Sequence, residues 1–387
     1  MRLTILASPS AAGLRLPDAA HPVHIGDDLV SALLRAGHDA RLVVLPGPGD
    51  RPAHAYDGLA AEGEWFAAQD GGDVVHAVDL RAAAAALAAR RHTGVPVVVR
   101  ASSLPDSPDA RVRRARLAVL RAADVVLCPT EELARGARVG GADRVEVVAD
   151  GLDTASWAAP STPAADGPPT LVTLSGADAG GGVPAVVEAL RALPEARLLV
   201  AGRSTEAAAD SLRRRATRAG VDDRVTDLGW LPRDRVVDLL DDADVVVAPR
   251  AEGGSGVSAL EAMCRAKVVV AADAPVLRDV VAEGVTGLLV PALDSSAWAD
   301  ALRGVLADPF RREAWGQAGQ DRVTAVYDWR AVVPRLHSVY EALGTVSSAR
   351  SRVSRLRPTT GGARLARGGQ EAVATAAHRS VPRSDAT

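Results

Sequence analysis

The chain is short of lysine and cysteine and has no long hydrophobic run. Lys267 is the only lysine among 45 basic residues. With alanine abundant, that bias reads as GC-rich coding rather than as a functional choice. Cys128 and Cys264 are the only cysteines, each within or beside an apolar run. This excludes a disulfide scaffold and a cysteine-built zinc site, and it fits a reducing cytoplasm. No stretch approaches the roughly 20 apolar residues of a membrane-spanning helix, so lipid contact is expected to be peripheral at most. Met1–Ala7 has neither the length nor the pattern of a signal peptide. A net charge of −3 with a pI near 6.3 gives no global reason to expect nucleic acid as a partner.

What is present is apolar residue in short runs. Of 387 residues, 48% are hydrophobic, enough for two core-bearing domains and a tail. β-branched runs alternate with Ala/Leu/Arg segments of helical period. In the first half, strands are expected at Leu3–Ala7, Arg41–Leu45, Val74–Ala77, Val97–Arg100, Val125–Cys128 and Val145–Val148. In the second half they are expected at Leu171–Leu174, Leu198–Ala201, Val225–Leu228, Val245–Ala248, Val268–Ala271 and Leu288–Val290. Continuously apolar strands separated by helices form parallel sheets covered on both faces, so each half reads as a Rossmann-like domain. Leu152–Thr170 is rich in Pro, Ala and small polar residues, without periodicity, and reads as a hinge. A helical stripe follows at Val332, Val333, Leu336, Val339, Tyr340 and Leu343. From Thr345 onward the chain is Ser, Arg, Gly and Ala and reads as a disordered basic tail.

The segment from Asp244 to Val281 carries the most chemistry. An apolar strand leads into Gly253-Gly254-Ser255-Gly256 and then into a helix on which Val257, Leu260, Glu261 and Cys264 share one stripe. Glu261 thereby places a carboxylate among apolar neighbours, which is costly unless it is paired. At the carboxyl end of a parallel strand, a ligand with vicinal hydroxyls, such as a ribose, is a natural partner. A carboxylate capping backbone amides is the other reading. Ser255 is a candidate cap for this helix. Arg203 and Arg250 follow strands, as anion contacts or as solvated arginines. Ala110–Leu120, with Arg111, Arg113, Arg114 and Arg116, is a basic amphipathic helix suited to an acidic membrane surface or simply a solvated face. Asp242-Ala243-Asp244 spells D-x-D but stands at a helix end before a buried strand, where aspartate caps. His21 and His24 suggest a metal pair only weakly, and no metal site is expected.

The order of several motifs resembles glycosyltransferase family 4, a retaining group with the GT-B fold. Leu33 to Ala40 is similar to its helix-to-strand turn, and Asp73 to Ala77 to its third strand. Ala149-Asp150-Gly151-Leu152-Asp153 resembles its "PNGVD" hinge turn. Ala219 to Val225, Leu228 to Pro232, Asp242 to Asp244 and Tyr327 to Arg330 follow in the family's order, over roughly 340 residues. The resemblance implies an N-terminal acceptor domain over 1–155 and a nucleotide-sugar domain over 168–328. It also implies a crossover helix over 329–344 that returns to the first domain, ahead of the tail at 345–387.

The resemblance also implies an activity: metal-independent transfer of a hexose from a UDP-sugar or GDP-sugar to an unidentified acceptor. No other cofactor is implied. Glu261 would hold the ribose, with Gly256, Ser255, Val257 and Leu231 completing the nucleotide site. The family's second glutamate falls eight positions before Glu261, at Gly253, with Glu252 one residue earlier. Glu252, Gly253 and Arg250 are therefore the candidates at the donor sugar. The family's Arg/Lys pair for the diphosphate is absent from Gly176 to Pro184. Gly176, Gly180 and Gly181 offer backbone amides there, and Arg203 or Arg250 a replacement charge. The family's donor histidine and first-domain Gly-Gly loop are absent too, leaving Arg100 and Ser102 near the histidine's place. The alternative function is therefore a GT-B pseudoenzyme that binds a nucleotide or a partner protein.

Overall fold

The computed structural model describes residues 1–8, 25–45, 63–64, 66–69, 72–101, 109–157, 167–177, 182–202, 204–250 and 256–355. Met1–Ser347 forms one compact unit and Ser348–Thr387 a second. Of the second, the helical residues 348–355 are described.

Six parallel strands make the first sheet: β1 (Arg2–Ala7), β2 (Asp39–Val44), β3 (Val74–Ala77), β4 (Val97–Arg100), β5 (Val125–Cys128) and β6 (Val145–Val147). Their order is β2-β1-β3-β4-β5-β6. The second sheet holds β7 (Thr170–Thr173), β8 (Arg197–Ala201), β9 (Val225–Gly229), β10 (Val245–Ala248), β11 (Val269–Ala272) and β12 (Gly287–Val290). It is ordered β12-β11-β10-β7-β8-β9. All the expected strands form, four with the expected bounds and the others with ends displaced by one or two residues. The central strands β4, β5, β7 and β10 are buried along their whole length, as continuous valine-rich runs require when helices cover both faces. In the second sheet the order reverses between β7 and β10, the switch point outside whose carboxyl ends open α/β sheets carry their ligand crevice.

Local signals fix the flanking helices. Asp79 caps Leu80–Thr93 by accepting from the Arg81 and Ala82 amides, and Gly94, at φ 67°, ends it. The alanine run of that helix is narrow enough to lie close on the sheet, and Ala82 to Ala86 are buried.

The chain crosses between the sheets twice, side by side. The Leu152 amide donates to the Tyr327 carbonyl at 2.8 Å, and the Trp329 amide donates back to Leu152 at 3.2 Å. The Thr154 hydroxyl donates to Asp328. A Cβ on Gly151 would lie 2.1 Å from the Trp329 ring, so only glycine fits. The expected crossover helix forms, as Trp329–Arg355. Val332, Val333, Leu336, Val339, Tyr340 and Leu343 are buried with the first sheet's core, as the stripe predicts. The helix does not stop near 344. It continues to Arg355, which corrects the expectation of disorder from 345, because Ser, Ala and Arg extend a helix already nucleated by packing. The rest of the expected tail, from 356, lies outside the described residues. Among the described residues no helix is long and apolar enough to cross a membrane.

Candidate functional site

Of the residues singled out in the second half, Gly176 follows the end of β7 and Arg250 the end of β10. After β7 the chain turns at Gly176, φ 64°, whose amide donates to the Ala201 carbonyl at 2.9 Å. The next amide, on Ala177, donates to the Ser204 hydroxyl at 2.8 Å. Gly202, at φ 117°, is packed so tightly that a Cβ would lie 2.7 Å from the Gly176 nitrogen. The helix that follows begins at Gly182, and a Cβ on Gly182 would fall 1.6 Å from the Pro249 carbonyl oxygen. These glycines let three strand ends and a helix start crowd into one crevice. Arg250, half-buried just after β10, reaches across it and donates to the Ser175 carbonyl at 3.3 Å.

The helix Val257–Cys264 starts at Gly256, φ 72°, with no side-chain cap. Gly256 occupies the N-cap position, and Ser255, the expected cap, lies outside the described residues. A Cβ on Gly256 would lie 3.0 Å from Val280, so the backbone turns where side chains leave no room. All residues of this helix except Ser258 are buried, so the apolar stripe understates its environment. Glu261 is 4% exposed. No hydrogen bond or ion pair to its carboxylate is found among the described residues. Burial pushes its carboxyl up from 4.5 to about 8, opposed by the charge of Arg233. Arg233 is itself held in the hinge region, donating to the Ser156 hydroxyl and stacking 4.4 Å above the Trp157 ring. Leu231 is half-buried against the same core. Sequence reasoning missed Arg233. Its neighbours Ser156 and Trp157 are about 80 positions away, and no local pattern links them.

Not every candidate joins the site. Arg100 cannot serve an anion as it stands, because it forms a buried two-pronged pair with Asp150, Nε to Oδ1 at 2.6 Å, and donates to the Val78 carbonyl. Beside it His76 is buried, its Nδ1 2.7 Å from the Tyr340 hydroxyl. Burial, reinforced by the Arg100 charge, pushes this imidazole down to about 3, so it is neutral. In the D-x-D sequence, Asp242 ends a helix and the Asp244 carboxylate accepts from the Thr170 amide at 2.8 Å. The Asp244 carboxylate therefore has structural work, and Asp242 serves the helix end through its backbone N–H. Among the described residues no group of three His, Cys, Asp or Glu side chains could hold a metal ion. Glu252, Gly253, Ser255, Gly180, Gly181, Arg203, Ser102, His21 and His24 lie outside the described residues.

Comparison with known proteins accords with this geometry. Residues 159–322 match the family model described as Glycosyl transferases group 1, and residues 26–156 that of Glycosyltransferase Family 4. The chain is 36% identical over 155 residues to a phosphatidyl-myo-inositol mannosyltransferase of Mycobacterium leprae, covering 40% of each. It is 34% identical over 247 residues to a D-inositol 3-phosphate glycosyltransferase of Xylanimonas cellulosilytica, covering 57% of this chain and 58% of that one. The chain thus spans about half the length of the curated relatives it matches. Among solved structures, sucrose-phosphate synthase from Thermosynechococcus elongatus superposes with a TM-score of 0.74 at 21% identity, over 89% of this chain and 100% of that one. The Anabaena HepE protein in complex with UDP-glucose gives 0.71 at 17% identity, over 88% and 99%. At such identities the likeness is one of fold.

Proposed function

Because this chain belongs to family 4 of the glycosyltransferases and has the GT-B fold, we propose that it moves a sugar from a nucleoside diphosphate sugar to an acceptor. Transfer occurs with retention and without a metal. The observation that carries this reading is Glu261: a carboxylate buried in the second sheet's crevice helix, raised to about 8, with no bonded partner among the described residues. Ribose hydroxyls supply the donors it lacks. Gly256, Ser255, Val257 and Leu231 complete the nucleotide's surroundings. The diphosphate is assigned to the start of the Gly182–Ala189 helix and, on sequence grounds alone, to Gly180, Gly181 and Arg203. Glu252 and Gly253 are assigned to the sugar on sequence grounds alone.

In the transfer step the bond from the anomeric carbon to the diphosphate oxygen breaks. A bond to the acceptor hydroxyl forms on the same face, and the acceptor's proton passes to the departing diphosphate. Arg250 offsets the charge that develops there, replacing the cation pair this loop lacks. UDP is the favoured nucleotide, a choice supported by the UDP and UDP-glucose held by the Anabaena structures. The inositol in the relatives' names supports an acceptor built on such a ring. We place the protein in the cytoplasm, with exposed Arg111, Arg113 and Arg114 resting on an acidic membrane surface.

A second reading, nucleotide binding without transfer, is favoured by the engaged amides of Gly176 and Ala177 and the Arg100–Asp150 pair. Calorimetric titration with UDP, GDP and ADP tests the first claim. One nucleotide should bind in the micromolar range, with binding lost in Glu261→Ala. Failure of all three would sink the donor site. Binding with no turnover of the matching sugar nucleotide, by transfer or hydrolysis, would leave the second reading.

A further inference from the structure

A cavity of about 1130 Å3 opens at the amino-terminal edge of the first sheet. The end of the Ile25–Arg35 helix with the Gly37 turn, the hinge at Asp153, and the first turns of the Trp329–Arg355 helix enclose it. It lies near the starts of β1 and β2, at Arg2 and Asp39. The ligand-binding edge of an open α/β sheet is the opposite one, where the strands end. The donor reading therefore leaves this cavity unexplained.

Its polar lining is balanced in charge and loosely paired. Arg35 stands 3.8 Å from Asp153, and Arg330 4.0 Å from Asp328, distances that leave both guanidinium groups able to donate elsewhere. Glu341 accepts at 3.1 Å from His337, whose ring packs against His38 at 4.9 Å between centroids. Burial, then the neighbouring His337 and amino terminus, hold His38 below its ordinary range. His337 Nδ1 is buried and has no partner among the described residues. Pro334 lacks an N–H, so the carbonyl of Arg330 loses its usual helical donor and is a further acceptor on this wall. Val333 and Pro334 add apolar ground.

Donors and acceptors thus interleave over an apolar floor, with no dominant charge to select an ion. A hydroxyl both donates and accepts, and a sugar ring adds C–H faces that pack on apolar side chains. We propose that this cavity is a second carbohydrate site, binding a neutral oligosaccharide remote from the donor nucleotide.

The test is NMR of the full chain with labelled histidine rings, titrated with maltotriose. His38 and His337 signals are assigned from His38→Gln and His337→Gln. The expected result is a saturable shift of these two rings with a Kd near ~1 mM. It should be unchanged by saturating UDP and by Glu261→Gln. In the double variant Arg330→Ala/Glu341→Gln, binding should weaken at least about tenfold. Those side chains are 88% and 63% exposed, so the fold should tolerate the change. No shift at ~20 mM sugar, displacement by UDP, or undiminished binding in the double variant would overturn the proposal. It stands or falls independently of whether UDP binds.

Discussion

Glu261 and Arg250 are where single residues decide function. The first is a carboxylate in a helix made otherwise of small and apolar residues, and its burial sets its proton affinity. Its pKa is raised above the ordinary value, so the folded state holds the proton more tightly than the unfolded chain does. The stability that results is fully present below about 4.5 and is lost as pH rises through about 8. In ligand-free protein, Tm should therefore fall across that interval, by the equivalent of about 1.4 kcal/mol per pH unit at most. Glu261→Gln should flatten the slope. An unchanged slope would show that the carboxyl is not the titrating group. For Arg250, replacement by Met should weaken nucleotide binding roughly 10- to 100-fold, by the measure of a lost hydrogen bond to a charged group. Calorimetry reads this directly, and equal affinity would remove Arg250 from the diphosphate site.

Elements are brought together at the crevice by missing side chains. The Gly182–Ala189 helix can start against the end of β10 only because residue 182 has no Cβ. Gly182→Ala should force the helix and Pro249 apart and destabilise the protein by about 1–3 kcal/mol, as overpacking does. Because Arg250 follows Pro249, the same change should weaken nucleotide binding more than an exposed alanine substitution in that helix. Thermal unfolding with a parallel titration separates the two effects. The glycine run 180–182 is visible in the sequence, but its reason is not. Pro249 lies 67 positions on, and only β7–β10 pairing brings it there. The Val257–Cys264 helix was likewise placed by its periodicity. Periodicity could not say that nearly every face is covered, because that follows from what packs around it.

At the scale of the whole molecule, the joint between the sheets is tied by charge as well as by backbone. Arg100, ending β4, holds Asp150, the residue before the Gly151 crossing. Arg100→Met should leave a buried, unpaired carboxylate and cost about 3–5 kcal/mol, and adding Asp150→Asn should recover much of it. Denaturant unfolding of the two variants gives the comparison, and additive losses would contradict a coupled pair. Composition and periodicity determined the fold class, the twelve strands and the stripe of the crossover helix, because burial between helix layers demands continuous apolar runs wherever a central strand lies. Glu261 was legible too, since a charge in an apolar stripe is a local anomaly. Tertiary structure alone decided that Arg100 is consumed by Asp150, 50 positions away, while Arg250 stays at the crevice. It alone brought Arg233 to Trp157 and opened a polar cavity beneath the first sheet. Sequence records which side chains exist and their local period. Which charges meet depends on strand order and on where the chain crosses, and those are properties of the folded whole.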